Sequence, residues 1–129
     1  MKQTLHAVTL VVPEYDAAIE FYTETLDFAL TQDIDLGGGK RWVLVTPPGS
    51  DGASLLLAKA DGPDQSAAIG NQTGGRVGFF LQTDDFERDH TNMQGKGVTF
   101  EEEPRHEPYG SVAVWRDPFG NRWDLIQFT

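Results

Sequence analysis

Few side chains in this sequence can carry chemistry, and one absence narrows the field first. No cysteine occurs among its 129 residues, which excludes thiolate nucleophiles, thiolate metal sites and disulfides. Three imidazoles remain: His6 in the first strand-like run, His90 on a predicted helix and His106 in a proline-rich loop. A solitary histidine in such settings is more often a packing or surface residue than a ligand. Asp124 lies in the last apolar run and reads either as a site acid or as a hydrogen-bonded acid that structures a strand end. Trp42 and Trp115 can stack a planar ligand, or they can serve as core packing or dimer contacts. No glycine-rich loop leads from a strand into a helix, and Gly37-Gly38-Gly39 is a hairpin signal, so nucleotide binding lacks support.

These side chains must be positioned by a unit that occurs twice. Ala7-Val8-Thr9-Leu10-Val11-Val12-Pro13-Glu14 lies over Gly78-Phe79-Phe80-Leu81-Gln82-Thr83-Asp84-Asp85, an offset of 78 − 7 = 71 residues. Arg41 to Gly49 lies over Val112 to Gly120 at the same offset. Duplication implies two strand-helix-strands modules that bury their sheets and leave a concave surface for a ligand.

The first module runs from about 5 to 58. A strand is expected from Leu5 to Val12, ended by Pro13, which has no amide donor. Glu14 to Leu26 is an amphipathic helix, with Ala18, Phe21, Tyr22, Thr25 and Leu26 on one face and acids at its amino end. Strands follow over Phe28–Asp35, Arg41–Thr46 and Ser54–Ala58. Residues 59–75, rich in Gly, Pro, Asp, Gln, Ser and Asn, read as a linker or mobile loop. The second module, about 76 to 128, repeats the order with strands over Val77–Gln82, Val98–Glu102, Ser111–Arg116 and Trp123–Phe128. Its helix, about Asp85 to Gln94, is weakly amphipathic, with Phe86, His90 and Met93 on the buried face.

Size and charge exclude several function classes. The chain suffices for one compact domain with a core, not for two independent ones. Ten basic against twenty acidic side chains give a formal charge of −10, which repels phosphate backbones and anionic lipid, so neither nucleic acid nor a membrane surface is an expected partner. No apolar run approaches the roughly 20 residues that span a bilayer, and no signal peptide is recognised, which makes the cytoplasm the expected location.

The order βαβββ twice, with Phe21-Tyr22 and Leu26-Asp27-Phe28 after the first helix and Asp117-Pro118-Phe119-Gly120-Asn121-Arg122-Trp123-Asp124 near the end, resembles the vicinal oxygen chelate superfamily. That group includes glyoxalase I, extradiol dioxygenases and bleomycin-resistance proteins. The resemblance implies an α+β fold in which two tandem βαβββ modules form a curved mixed sheet around a cavity. It also implies a homodimer. A metal site of this family takes ligands from the first and last strands of each module, positions that fall here on Ala7, Ser54, Gly78 and Asp124. Only Asp124 ligates strongly, and one carboxylate does not hold a catalytic ion against water. His6 is one residue from the expected ligand, and strand alternation turns it toward the helix side with Val8, Leu10 and Val12.

On the same alternation Thr9, Val11, Ser54, Leu56, Phe80, Gln82, Asp124 and Ile126 line the concave face, flanked by Trp42 and Trp115. The expected function is therefore binding of a small aromatic or amphipathic organic molecule, with no cofactor and an incomplete metal site. The alternative is a metal-dependent lyase, isomerase or dioxygenase in which Asp124 acts catalytically with His6, His106 or an added ion. A third class, an interaction domain with a vestigial cavity, is separable by whether the cavity is filled with side chains.

Overall fold

The computed structural model describes all 129 residues. The chain forms two compact units, Met1–Ile69 and Gly70–Thr129, each built on its own mixed sheet. The class is the expected α+β, realised as sheets of four and five strands that do not close.

In the first unit, β1 (Ala7–Val12) pairs in parallel with β4 (Ser54–Lys59), β4 antiparallel with β3 (Lys40–Thr46), and β3 antiparallel with β2 (Ala29–Gly37), giving the order β1-β4-β3-β2. Between β1 and β2 the helix α1 (Tyr15–Glu20) buries Tyr15 and Ala18 and continues as a π-helical turn, Phe21–Thr25. The wider turn is visible in the Leu26 amide, which donates five residues back to the Phe21 carbonyl at 3.3 Å. Asp27 then adopts φ 60°, a left-handed conformation that ends the helix. Leu10, Val12, Val43, Val45 and Leu57 are fully buried on the sheet face that meets α1. The β-branched and leucine content of these runs is what a half-buried pleated surface selects.

The second unit has the order β5-β9-β8-β6, from β5 (Phe79–Gln82), β6 (Thr99–Phe100), β8 (Gly110–Arg116) and β9 (Arg122–Phe128). The ten-residue α3 (Phe86–Gly95) begins at Asp85, whose carboxylate accepts from the Arg88 amide at 3.1 Å. Gln127 ties β9 to that helix start, accepting from the Phe86 amide at 2.7 Å and donating to the Asp84 carbonyl at 3.0 Å. Beneath α3 the rings of Phe79, Trp123 and Trp115 stack in succession, with centroids 4.9 and 5.0 Å apart. The turn from Asp117 to Asn121 is tight as expected: the buried Asp117 carboxylate accepts from the amides of Phe119 and Asn121 and from the Asn121 side chain at 2.7–3.0 Å.

Two elements escape a reading by periodicity. The expected linker contains a short helix, α2 (Pro63–Ala68), begun by proline in its first turn. The proline-rich loop contains β7 (Arg105–Glu107), three residues paired antiparallel with β8, so His106 stands on a strand. No helix is long and apolar enough to cross a membrane.

Candidate functional site

Strand pairing decides which side chains share a face. In the first unit Thr9 is the register partner of Leu56, and Leu56 that of Leu44, which places all three on the face turned away from α1. Ser54 joins them through a 2.7 Å contact between its hydroxyl and that of Thr46. Trp42 follows by alternation from Leu44, and its indole N–H donates to Gln32 Oε1 at 2.7 Å. Thr9, Trp42, Ser54 and Leu56 are thus brought together as expected from their parity.

In the second unit Phe80 pairs with Asp124 and Asp124 with Val114, while Gln82 pairs with Ile126 and Ile126 with Val112. These rows lie on the face turned away from α3. Phe80 is 65% exposed, the most accessible aromatic group on this sheet. Its neighbour Asp124 is half-buried, and its Oδ1 is buried with no hydrogen-bond partner. Burial raises the Asp124 carboxyl above the ordinary aspartate value; nearby Arg105 opposes this, Glu102 reinforces it, and Arg122 opposes it more weakly. The Arg105 guanidinium is itself held by Glu102 at 3.0 Å and Glu107 at 3.4 Å. Arg105 and Glu102 were missed as parts of this site, since nothing in their spacing announces the short β7 that carries the arginine.

Trp115 does not join this surface. It is the register partner of Trp123 and is completely buried on the α3 side, the opposite face from Asp124. Trp42 and Trp115 are therefore not equivalent members of one aromatic wall. They occupy opposite faces because the 71-residue offset that relates Thr9 to Phe80 falls to 70 between Leu44 and Val114, and one residue of slippage inverts a face. A further difference of two residues in the last strands revises the relation of Ser54 to Asp124. Thr9 pairs with Leu56 where Phe80 pairs with Asp124, so Leu56 is the counterpart of Asp124. The physical cause is the connection before the last strand, longer over residues 47–53 than over 117–121.

The inherited metal positions do not fit a divalent ion. Ala7 and Gly78 offer no donor, and the Ser54 hydroxyl is engaged with Thr46. A side chain at Gly78 would meet Thr73, whose Cγ2 lies 2.5 Å from where a Cβ would stand. No three His, Asp or Glu side chains converge anywhere in a geometry suited to an ion. His6 is exposed and precedes β1, contributing only its carbonyl to the Ser54 amide at 3.0 Å, so the expected packing on the helix side is corrected. His106 contacts the Ser111 hydroxyl at 3.0 Å through Nδ1. His90 stacks between Phe86 and Phe100, with centroids at 5.5 and 4.4 Å.

Residues 4–125 match the family model of the Glyoxalase/Bleomycin resistance protein/Dioxygenase superfamily. An uncharacterized protein of Shewanella frigidimarina (strain NCIMB 400) is 52% identical over 128 residues, covering 98% of this chain and 95% of its own length. Among solved structures, UcmS2 is similar with a TM-score of 0.83 at 30% identity, covering 98% of both chains. TnmS3, an antibiotic binding protein from Streptomyces sp. CB03234, gives a TM-score of 0.78 at 31% identity, covering 100% of this chain and 98% of its own.

Proposed function

The chain belongs to the glyoxalase/bleomycin resistance protein/dioxygenase superfamily, and on that premise we propose that it binds a small aromatic or amphipathic organic molecule without a complete metal site. The observation that carries this reading is the pairing of Phe80 with Asp124: an accessible ring beside a carboxylate whose buried oxygen has no partner. An aromatic surface next to an unanswered acceptor suits a flat ligand bearing a cationic or hydrogen-bond-donating group, because leaving such an oxygen unpaired is costly. The antibiotic binding protein TnmS3 gives a precedent for small-molecule binding among similar structures. The enzymatic alternative needs a donor set around Asp124, and no histidine stands beside it.

Pairing of two copies belongs to the same proposal. It is supported by β2, an edge strand exposed along its whole length that presents Leu30, Ile34 and Leu36.

A fluorescence titration with a planar aromatic ammonium compound and its neutral isostere, repeated on Asp124→Asn, tests the binding reading. Saturable quenching, tighter for the cation in the wild type and equal for both compounds in the variant, is expected. No saturable response across a varied aromatic panel would refute the binding reading, and an unchanged preference in the variant would refute the role of Asp124.

A further inference from the structure

Arginines are balanced unevenly over this acidic chain. Arg41 is held by Asp16 at 2.8 Å and Asp33 at 2.7 Å, Arg88 by Asp84 and Asp89 at 2.9 Å, and Arg105 by Glu102 and Glu107. Each of these has two acids. The remaining three, Arg76, Arg116 and Arg122, line one cleft of about 150 Å³ in the second unit, together with Asn71, Thr73 and Phe79. One carboxylate pairs with two of them: Glu101 contacts Arg122 at 2.8 Å and Arg116 at 3.3 Å. Arg76 is exposed and makes no ion pair. Three guanidiniums against one directly contacting carboxylate give a local excess of positive charge here, in a protein whose net charge is −10.

The cleft is held in shape by its own backbone. Arg122 donates to the Gly75 carbonyl at 2.9 Å, the Gly78 amide to the Arg122 carbonyl at 3.0 Å, and the Thr73 hydroxyl to the Arg76 carbonyl at 2.6 Å. Glycine is required where the loop meets the β8–β9 turn, because a Cβ at Gly70, itself at φ 71°, would fall 2.1 Å from the Phe119 carbonyl oxygen. The volume far exceeds the roughly 10–15 Å³ that houses one water. Guanidinium forks match the planar or tetrahedral oxygens of carboxylates and phosphates, and the Asn71 side chain offers further donors.

We infer that this cleft is an oxyanion site, taking the carboxylate or phosphate group of a small molecule between Arg76, Arg116 and Arg122. Its ligand is opposite in charge to the one that suits the Phe80–Asp124 face.

The test is calorimetric titration of the intact protein at low ionic strength with inorganic phosphate and, separately, benzoate. Saturable binding of either anion is expected; phosphate alone marks a phosphate site, benzoate alone a carboxylate site, and both a general oxyanion site. Arg76→Ala should weaken binding at least about fivefold, the loss of one partly exposed charge-assisted contact, with the melting temperature unchanged. Glu101→Gln should tighten it by removing the competing carboxylate. Glu87→Gln, the same charge change at an exposed position on α3, should leave it unaltered. No saturable binding of either anion, equal affinity in Arg76→Ala, or equal enhancement by Glu87→Gln and Glu101→Gln would each overturn the assignment.

Discussion

Phe80 and Asp124 stand side by side in parallel register on β5 and β9, the ring open to solvent and one carboxylate oxygen buried without a hydrogen bond. This adjacency joins an apolar contact surface to an electrostatic demand. It also makes Asp124 a measurable probe of its own surroundings.

The first expectation concerns pH. Burial raises the Asp124 pKa in the folded state, so its favourable contribution is fully present below the unfolded value, about 3.9, and is lost as pH rises through the folded value. Asp124→Asn removes that loss. Urea unfolding of both proteins from about pH 3.5 to 7 should show the variant gaining relative to wild type as pH rises, by at most about 1 kcal/mol because the group is only half-buried. A difference that is flat or falls with pH would contradict the assignment.

Phe80→Ala separates binding from folding. An exposed ring contributes little to stability, so the unfolding midpoint should move by less than about 0.5 kcal/mol. Affinity for an aromatic ligand should fall roughly three- to tenfold, the worth of one ring contact. Unchanged affinity would remove Phe80 from the site.

Trp115→Ala should behave in the opposite way. The indole is fully buried against Trp123, and its truncation should cost about 3–5 kcal/mol. Trp115→Phe, which keeps the stack in smaller form, should retain ligand affinity at a temperature where the protein is folded. Loss of binding by the folded Trp115→Phe protein would show that Trp115 acts on the ligand.

His6→Ala should change stability by less than about 0.5 kcal/mol, because its ring is exposed and the carbonyl it lends to Ser54 persists in alanine. Ligand affinity should be unaffected. A collapse of binding at constant melting temperature would place His6 in the site.

Zinc, nickel or manganese should raise the melting temperature little, since an ion stabilises only through a site in the folded state. Metal analysis after purification without chelator checks the same point. About one ion per chain that disappears in Asp124→Asn would reverse the reading.

The sequence by itself determined the elements and their parity. Alternating apolar residues, Pro13 after the first strand and the turn chemistry of Asp117 to Asn121 are local signals, and each acts within a few residues of where it is read. Thr9 with Leu56, and Phe80 with Asp124, fall on shared faces because alternation along a strand is a local property. Tertiary structure alone decided the lateral register between strands. A longer connection before β4 than before β9 made Leu56 the counterpart of Asp124, and a separate one-residue shift between β3 and β8 placed Trp115 on the buried face although Trp42 lies on the other. The short β7 and the arginine cleft depend on residues far apart in the chain, from Gly70 to Arg122, whose proximity no local periodicity encodes. Charge balance is likewise spatial: the composition reports a strongly acidic protein, while folding gathers three arginines along one cleft where Glu101 pairs with two of them.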